Sequence, residues 1–418
     1  MVLATLTLFA QGYRITHYKG RLAAANQVIV HLRPGMAAPD GELIPLSFSA
    51  GIYVLRSGTK DIEELLLSAN GAISVEPDYV VHIQDTSVVP TTAQYSQLWG
   101  LNKVGAPSAW NVTMGSQSVA AGVIDSGIDY THPDLAPNVW SAPAAFTVYF
   151  GLIPVYCPAG SHGFNAIELS CDPMDDNGHG THVSGTIGAA GNNHPGLVGI
   201  SPAATIVGIK FIGADGSGLT SDAIRSIEFA IQANTAFPGL NLRVLSASWG
   251  SFWFSQALQD EIAKANANNM LLVAAAGNAP ANIDNYPMKV YPASDPDPNV
   301  IAVAATDQND RFASFSNSGP KTIHVGAPGV NILSTFLNGG YAYGSGTSMA
   351  TPHVTGAALL VLSACPWLNS QQVKQVLLGT VDAMSSDYEF MISGGRLNAG
   401  SAVRACASGP ALPSLSVN

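Results

Sequence analysis

Charge is scarce in this chain: Asp, Glu, Lys and Arg make up 11% of its 418 residues, and no run of basic residues occurs. Nucleic-acid binding depends on clustered Lys and Arg that neutralise phosphates, so that partner is excluded. The balance of 17 basic against 28 acidic side chains, a net charge of −11, argues the same way. Long apolar runs are also missing. Residues 1–10 and 356–364 are apolar, but both fall short of the ~20 residues that cross a bilayer, so no spanning helix and no membrane partner are predicted. Cysteine is rare, with four in all and no Cys-x-x-Cys pair, which disfavours a structural zinc site or a dithiol redox motif.

What is present points to a globular enzyme. Hydrophobic residues make up 47%, enough for a large core and incompatible with a disordered chain. The length suits two or three domains. The 42 Gly and 26 Pro favour short elements joined by tight turns. Cys157 with Cys171, and Cys365 with Cys406, would make local disulfides in an oxidising compartment; the alternative is four separate buried thiols. Residues 1–15 hold an apolar stretch of signal-peptide length without the usual leading positive charge. Asn111-Val112-Thr113 is a glycosylation sequon. A secreted, monomeric protein is the expectation.

Two grammars divide the chain. Residues 20–84 read as a small α/β module of strand, strand, helix and strand. The strands lie near 27–32, 51–55 and 73–83, and the helix over 61–70 opens on an acidic capping pattern. Residues 34–45 read as a loop, and 85–94, rich in Thr, Ser and Pro, as a linker. From 95 to 418, apolar runs at 119–124, 205–211, 243–247, 270–275 and 299–304 alternate with helical segments at 221–232 and 257–267. Unalternating runs suit strands buried on both faces, so the fold class is α/β: a mostly parallel open sheet with helices on both faces. Ligands of such sheets bind at the carboxyl ends of the strands.

Three polar residues stand at such ends. Asp125 closes the first run. His179 lies between two glycines where a helix begins, and Ser348 sits in a Gly/Thr loop that leads into the apolar helix 349–364. Singly, each has an ordinary explanation: a turn, a packed imidazole, a helix cap. Together they supply the orienter, base and nucleophile of acyl transfer. Their order, Asp…His…Ser, also departs from the Ser…Asp…His order and Gly-x-Ser-x-Gly elbow of α/β-hydrolases.

The blocks Asp125-Ser-Gly-Ile-Asp, His179-Gly-Thr-His-Val and Gly346-Thr-Ser-Met-Ala-Thr-Pro-His353-Val resemble the three signatures of the subtilisin-like serine proteases. Segments 213–218, 248–250, 274–278 and 315–320 resemble the same family, which covers residues ~99–402 in order. The resemblance implies an Asp125–His179–Ser348 triad, with Asn278 and the Ser348 N–H as oxyanion hole. It implies that Gly216, Ser217, Gly218, Ser248, Trp249 and Gly250 pair with an extended protein or peptide substrate. Ala275, Ala276 and Gly277 would line a roomy, uncharged primary pocket that prefers apolar or aromatic residues. A structural calcium is implied at Asp134 and Asn193. Residues 20–84 resemble the family's ferredoxin-like inhibitory propeptide, with one clear helix where the family usually has two. The expectation is therefore a zymogen that cleaves itself between about Gln84 and Thr92, its propeptide acting as inhibitor and folding helper.

Overall fold

The computed structural model describes residues 14–408 except 37, 48–50, 70, 85–86, 92–94, 192–195, 286 and 385–388. In the N-terminal unit β1 (Ile15–Tyr18), β2 (Arg21–His31), β3 (Glu42–Pro45), β4 (Ile52–Arg56) and β5 (Ser74–Ile83) form an antiparallel sheet, in which β2 lies between β4 and β5. Strand alternation gives that sheet two apolar faces. Val28 and Val30 pack under α1 (Ile62–Ser68), while Ile29 turns to the opposite side. Asp61 caps α1 in a capping box with Glu64.

Three elements add to the sequence expectations. Glu42–Pro45, read as loop, is a strand because β4 offers it an edge to pair with. Ile15, inside the span read as signal peptide, opens β1; the rest of that span up to residue 13 lies outside the described residues. The 85–94 linker contains β6 (Ser87–Thr91), paired elsewhere as described below.

The larger unit is built on a sheet with nine strands among the described residues. Its central elements, in chain order, are β7 (Ala120–Asp125), α2 (His179–Gly188), β8 (Thr205–Lys210), α3 (Thr220–Ala236), β9 (Leu242–Ala247), α4 (Gln256–Ala267), β10 (Leu271–Ala275), β11 (Val300–Thr306), β12 (Val325–Pro328), the hairpin β13 (Ile332–Phe336) and β14 (Gly340–Ser345), and α5 (Thr347–Ala364). The sheet runs β8–β7–β9–β10–β11–β12, all parallel, with Gly163–Asn165 outside β8 and two short strands beyond β12. Strand β7 is first in sequence yet lies inside the sheet, so the connections diverge at its carboxyl end.

Every residue of β7, β10 and β11 is buried, as their unalternating apolar runs require. Ala121 and Val123 face α2 and α5, whereas Ala120 and Ile124 face α3 and α4. Helix α5 is apolar on all sides and buried from Thr347 to Leu362, so it runs through the core rather than over it. Ile29, Leu46, Ile52, Val54 and Val81 of the N-terminal unit belong to the same cluster as α3 and α4. The unit therefore adds apolar surface to the larger core. Its carboxylates also cap both helices. Asp78 accepts from the Ser221 N–H (3.0 Å) and hydroxyl (2.7 Å), and Glu76 from the Ser255 hydroxyl (2.5 Å) and Gln256 N–H (2.9 Å).

Candidate active site

Asp125 ends β7, and His179 is the first residue of α2; both are buried. Asp125 Oδ1 lies 2.7 Å from His179 Nδ1 and accepts the Ser126 N–H at 2.7 Å. Asp175 sets this geometry, and nothing in the sequence singled it out. Its carboxylate accepts from Ser126 Oγ, the N–H groups of Asn177, Gly178 and Thr181, and Thr181 Oγ1. Burial pushes the Asp175 carboxyl up, but these donors win and hold it below the usual range. Gly180 is required by contact: a Cβ there would lie 2.1 Å from the Gly127 carbonyl. His182 is packed, with Nε2 between the Ile332 and Ala342 carbonyls, and burial pushes it down to about 4.

Ser348 is the second residue of α5, not its cap: Gly346 precedes the helix in an extended conformation, and no side chain caps it. The Ser348 hydroxyl donates to the Ser248 carbonyl at 2.7 Å. Thr347 holds Asn278, giving its N–H (2.9 Å) and hydroxyl (3.0 Å) to Asn278 Oδ1 while its Oγ1 accepts from Gly277 N–H (3.0 Å). With Oδ1 so engaged, the amide orientation is set. Asn278 Nδ2 is left buried with no hydrogen-bond partner among the described residues.

The cleft already contains a peptide, the chain's own β5. Val80, Val81 and His82 pair antiparallel with Leu219, Gly218 and Ser217 on one side, and His82 and Ile83 with Gly250 and Trp249 on the other. Ile83 N–H reaches the Gly216 carbonyl (3.3 Å) and Gln84 N–H the Ser248 carbonyl (3.1 Å). The Gln84 carbonyl then receives the Ser348 N–H at 2.9 Å. The six residues expected to bind an extended chain thus hold one.

Val290 stands next to the segments expected to line the primary pocket. Ala275, Ala276 and Gly277 are fully or nearly fully buried beside it, but Val290 stands between Gly250 and Gly277. Its Cγ1 lies 2.7 Å from where a Gly250 Cβ would be, and its Cγ2 3.3 Å from the equivalent point on Gly277. Trp249 does not enter that pocket: the indole is buried beneath, edge-on to Phe211, with Nε1 donating to the Ile124 carbonyl.

For a metal, the described residues offer little. Asp134 is buried, and its Oδ2 accepts from Leu197 N–H (2.8 Å) and Tyr341 OH (3.0 Å), whose phenol is pushed up to about 12 by burial and by the Asp134 charge. Asn193 lies outside the described residues. No group of three or more His, Cys, Asp or Glu able to hold a metal occurs among the described residues. Cys157–Cys171 and Cys365–Cys406 are both joined as disulfides, the second tying the end of α5 to the helix Ala399–Ala407. Asn111 is exposed.

Comparison with known proteins agrees with this arrangement. Residues 116–396 match the Subtilase family. The chain is 32% identical to a thermophilic serine proteinase of Bacillus sp. (strain AK1), over 94% of this chain and 88% of that one. It is 36% identical to an alkaline protease of Shouchella clausii, over 80% and 76%. With thermitase of Thermoactinomyces vulgaris it shares 33% identity over 74% and 96%.

Proposed function

The chain belongs to the Subtilase family and is a subtilisin-type serine endopeptidase, and from that premise we propose that it is a zymogen that cleaves its own Gln84–Asp85 bond. One observation carries this reading: the Gln84 carbonyl accepts the Ser348 N–H while its strand is held on both edges.

In the proposed reaction, the Ser348 proton leaves the Ser248 carbonyl for His179 Nε2 as Oγ attacks the Gln84 carbonyl carbon. Asp125 holds His179 with its Nδ1 proton in place and stabilises the imidazolium. The oxyanion takes the Ser348 N–H and Asn278 Nδ2. Collapse breaks the C–N bond, and His179 passes the proton to the Asp85 amine. Water, deprotonated by His179, then hydrolyses the Gln84 ester. Residues 20–84 remain as product in the cleft, which makes them inhibitor as well as folding scaffold.

Protein substrates would bind in the same extended form. Val290 with Ala275, Ala276 and Gly277 supports preference for small and medium uncharged residues over large aromatic ones. The two disulfides support an oxidising, extracellular setting. No helix among the described residues is long and apolar enough to cross a membrane. The exposed Asn111 would be open to glycosylation. We include a structural calcium at Asp134 and the 191–199 loop, where oxygen donors suit that ion. If it binds, calcium raises the Tm of a Ser348→Ala precursor over the same protein in chelator; identical melting curves remove the ion from this account.

The decisive test follows mass over time, wild type beside Ser348→Ala, with a fluorophosphonate added at the end. Wild type should become about 9 kDa lighter, begin at Asp85 and carry one label, while the variant stays intact and unlabelled. An intact, unlabelled wild type would overturn the reading.

A further inference from the structure

Beyond Gln84, residues Ser87–Thr91 are paired to the larger unit. Strand β6 adds antiparallel to β14, with Ser87 opposite Ser345, Val88 opposite Gly344, Val89 opposite Tyr343, Pro90 opposite Ala342 and Thr91 opposite Tyr341. Strand β14 pairs with β13 on its other side, so β6 is the outer strand of a three-stranded sheet. From Ser345 the chain passes through Gly346 straight into α5 and Ser348. The edge that receives β6 therefore leads directly to the nucleophile.

We infer that β14 is a binding strand for the leaving-group side of polypeptide substrates, holding the third to seventh residues beyond the cleaved bond by β-addition. This rests on the protease reading above, which makes Gln84–Asp85 the bond cleaved. The ligand class is an extended polypeptide, recognised through its backbone.

Pro90 sets the phase. A proline has no N–H and fits an outer strand only where that position faces away from the partner. Facing alternates along a strand, so the donors at Ser87, Val89 and Thr91 point at β14 and those at Val88 and Pro90 point outward. A substrate on this edge needs N–H groups at its third, fifth and seventh residues beyond the cut and tolerates their loss at the fourth and sixth. After maturation the protein's own β6 stays attached to the larger unit and competes for this edge.

The test uses the self-processed enzyme and peptides that are constant through the second residue beyond the cut, then lengthened one residue at a time to the seventh. Each is assayed on wild type and on Val89→Pro, which removes the N–H that fastens the native β6. Three added hydrogen bonds, each worth a factor of about five, predict that kcat/KM rises at least about ten-fold along the series. The rise should be in both enzymes, or only in Val89→Pro if β6 outcompetes the peptide. N-methylation at the third, fifth or seventh residue should abolish the gain, and at the fourth or sixth should not. A flat series in both enzymes, or N-methyl sensitivity without that alternation, overturns the inference. Failure of every peptide to be cleaved, with no label on Ser348, would instead sink the protease reading beneath it.

Discussion

Asn278 shows how one side chain is prepared by its neighbours. Thr347 takes up the carbonyl end of the amide and leaves Nδ2 as a buried donor without a partner among the described residues. In the proposed reaction that donor gains most when negative charge develops on the substrate oxygen, so Asn278→Ala should lower kcat by about 10²–10³ with little change in KM. Steady-state kinetics on a soluble peptide check this, and a kcat within about two-fold of wild type would refute it. Val290→Gly should enlarge the primary pocket and raise kcat/KM for an aromatic residue, relative to alanine, by about ten-fold or more. Unchanged selectivity would show that Val290 does not bound the pocket. The sequence singles out Asp125, His179, Ser348 and Asn278 because each sits in a short block rich in glycine and small residues. Val290 was not legible. It matters only because folding brings it between Gly250 and Gly277.

At the scale of elements, the N-terminal unit acts through its strand ends. Asp78 and Glu76 satisfy amide groups that open α3 and α4. Asp78→Ala in the Ser348→Ala precursor should lower stability by about 1–3 kcal/mol, read from denaturant midpoints. No change would mean that solvent caps α3 equally well. The buried parallel strands and the long helices were predictable from their apolar periods, because burial on one or two faces imprints a pattern on the residues themselves. Strands β3 and β6 carry no such pattern. Each is four or five residues long, includes a proline, and exists because a neighbouring edge, β4 or β14, receives it.

Across the whole molecule, buried ionisable groups pull stability in opposite directions with pH. Burial pushes His182, His324 and His353 down to about 4, 3 and 4; their folded form resists protonation, so they add stability as pH rises toward the ordinary histidine range. Asp295 does the reverse. Burial, and then the Asp297 charge, push it up to about 8, and neither carboxylate oxygen has a partner among the described residues. Its contribution is full below about 4 and is lost as pH rises to about 8. Asp295→Asn, neutral throughout, should therefore match the precursor near pH 4 and exceed its stability by at least about 1 kcal/mol at pH 8. Thermal or urea unfolding of the Ser348→Ala background tests this, and a difference independent of pH would reject it. The sequence by itself determined the α/β class, and it pointed to two units and to four polar residues, because periodicity and compact motifs are local properties of the chain. Only the tertiary structure decided which carbonyl meets Ser348, what fills the pocket, which carboxylates cap which helices and which sheet edges are covered. Those outcomes depend on contacts between segments far apart in sequence, and no local pattern encodes them.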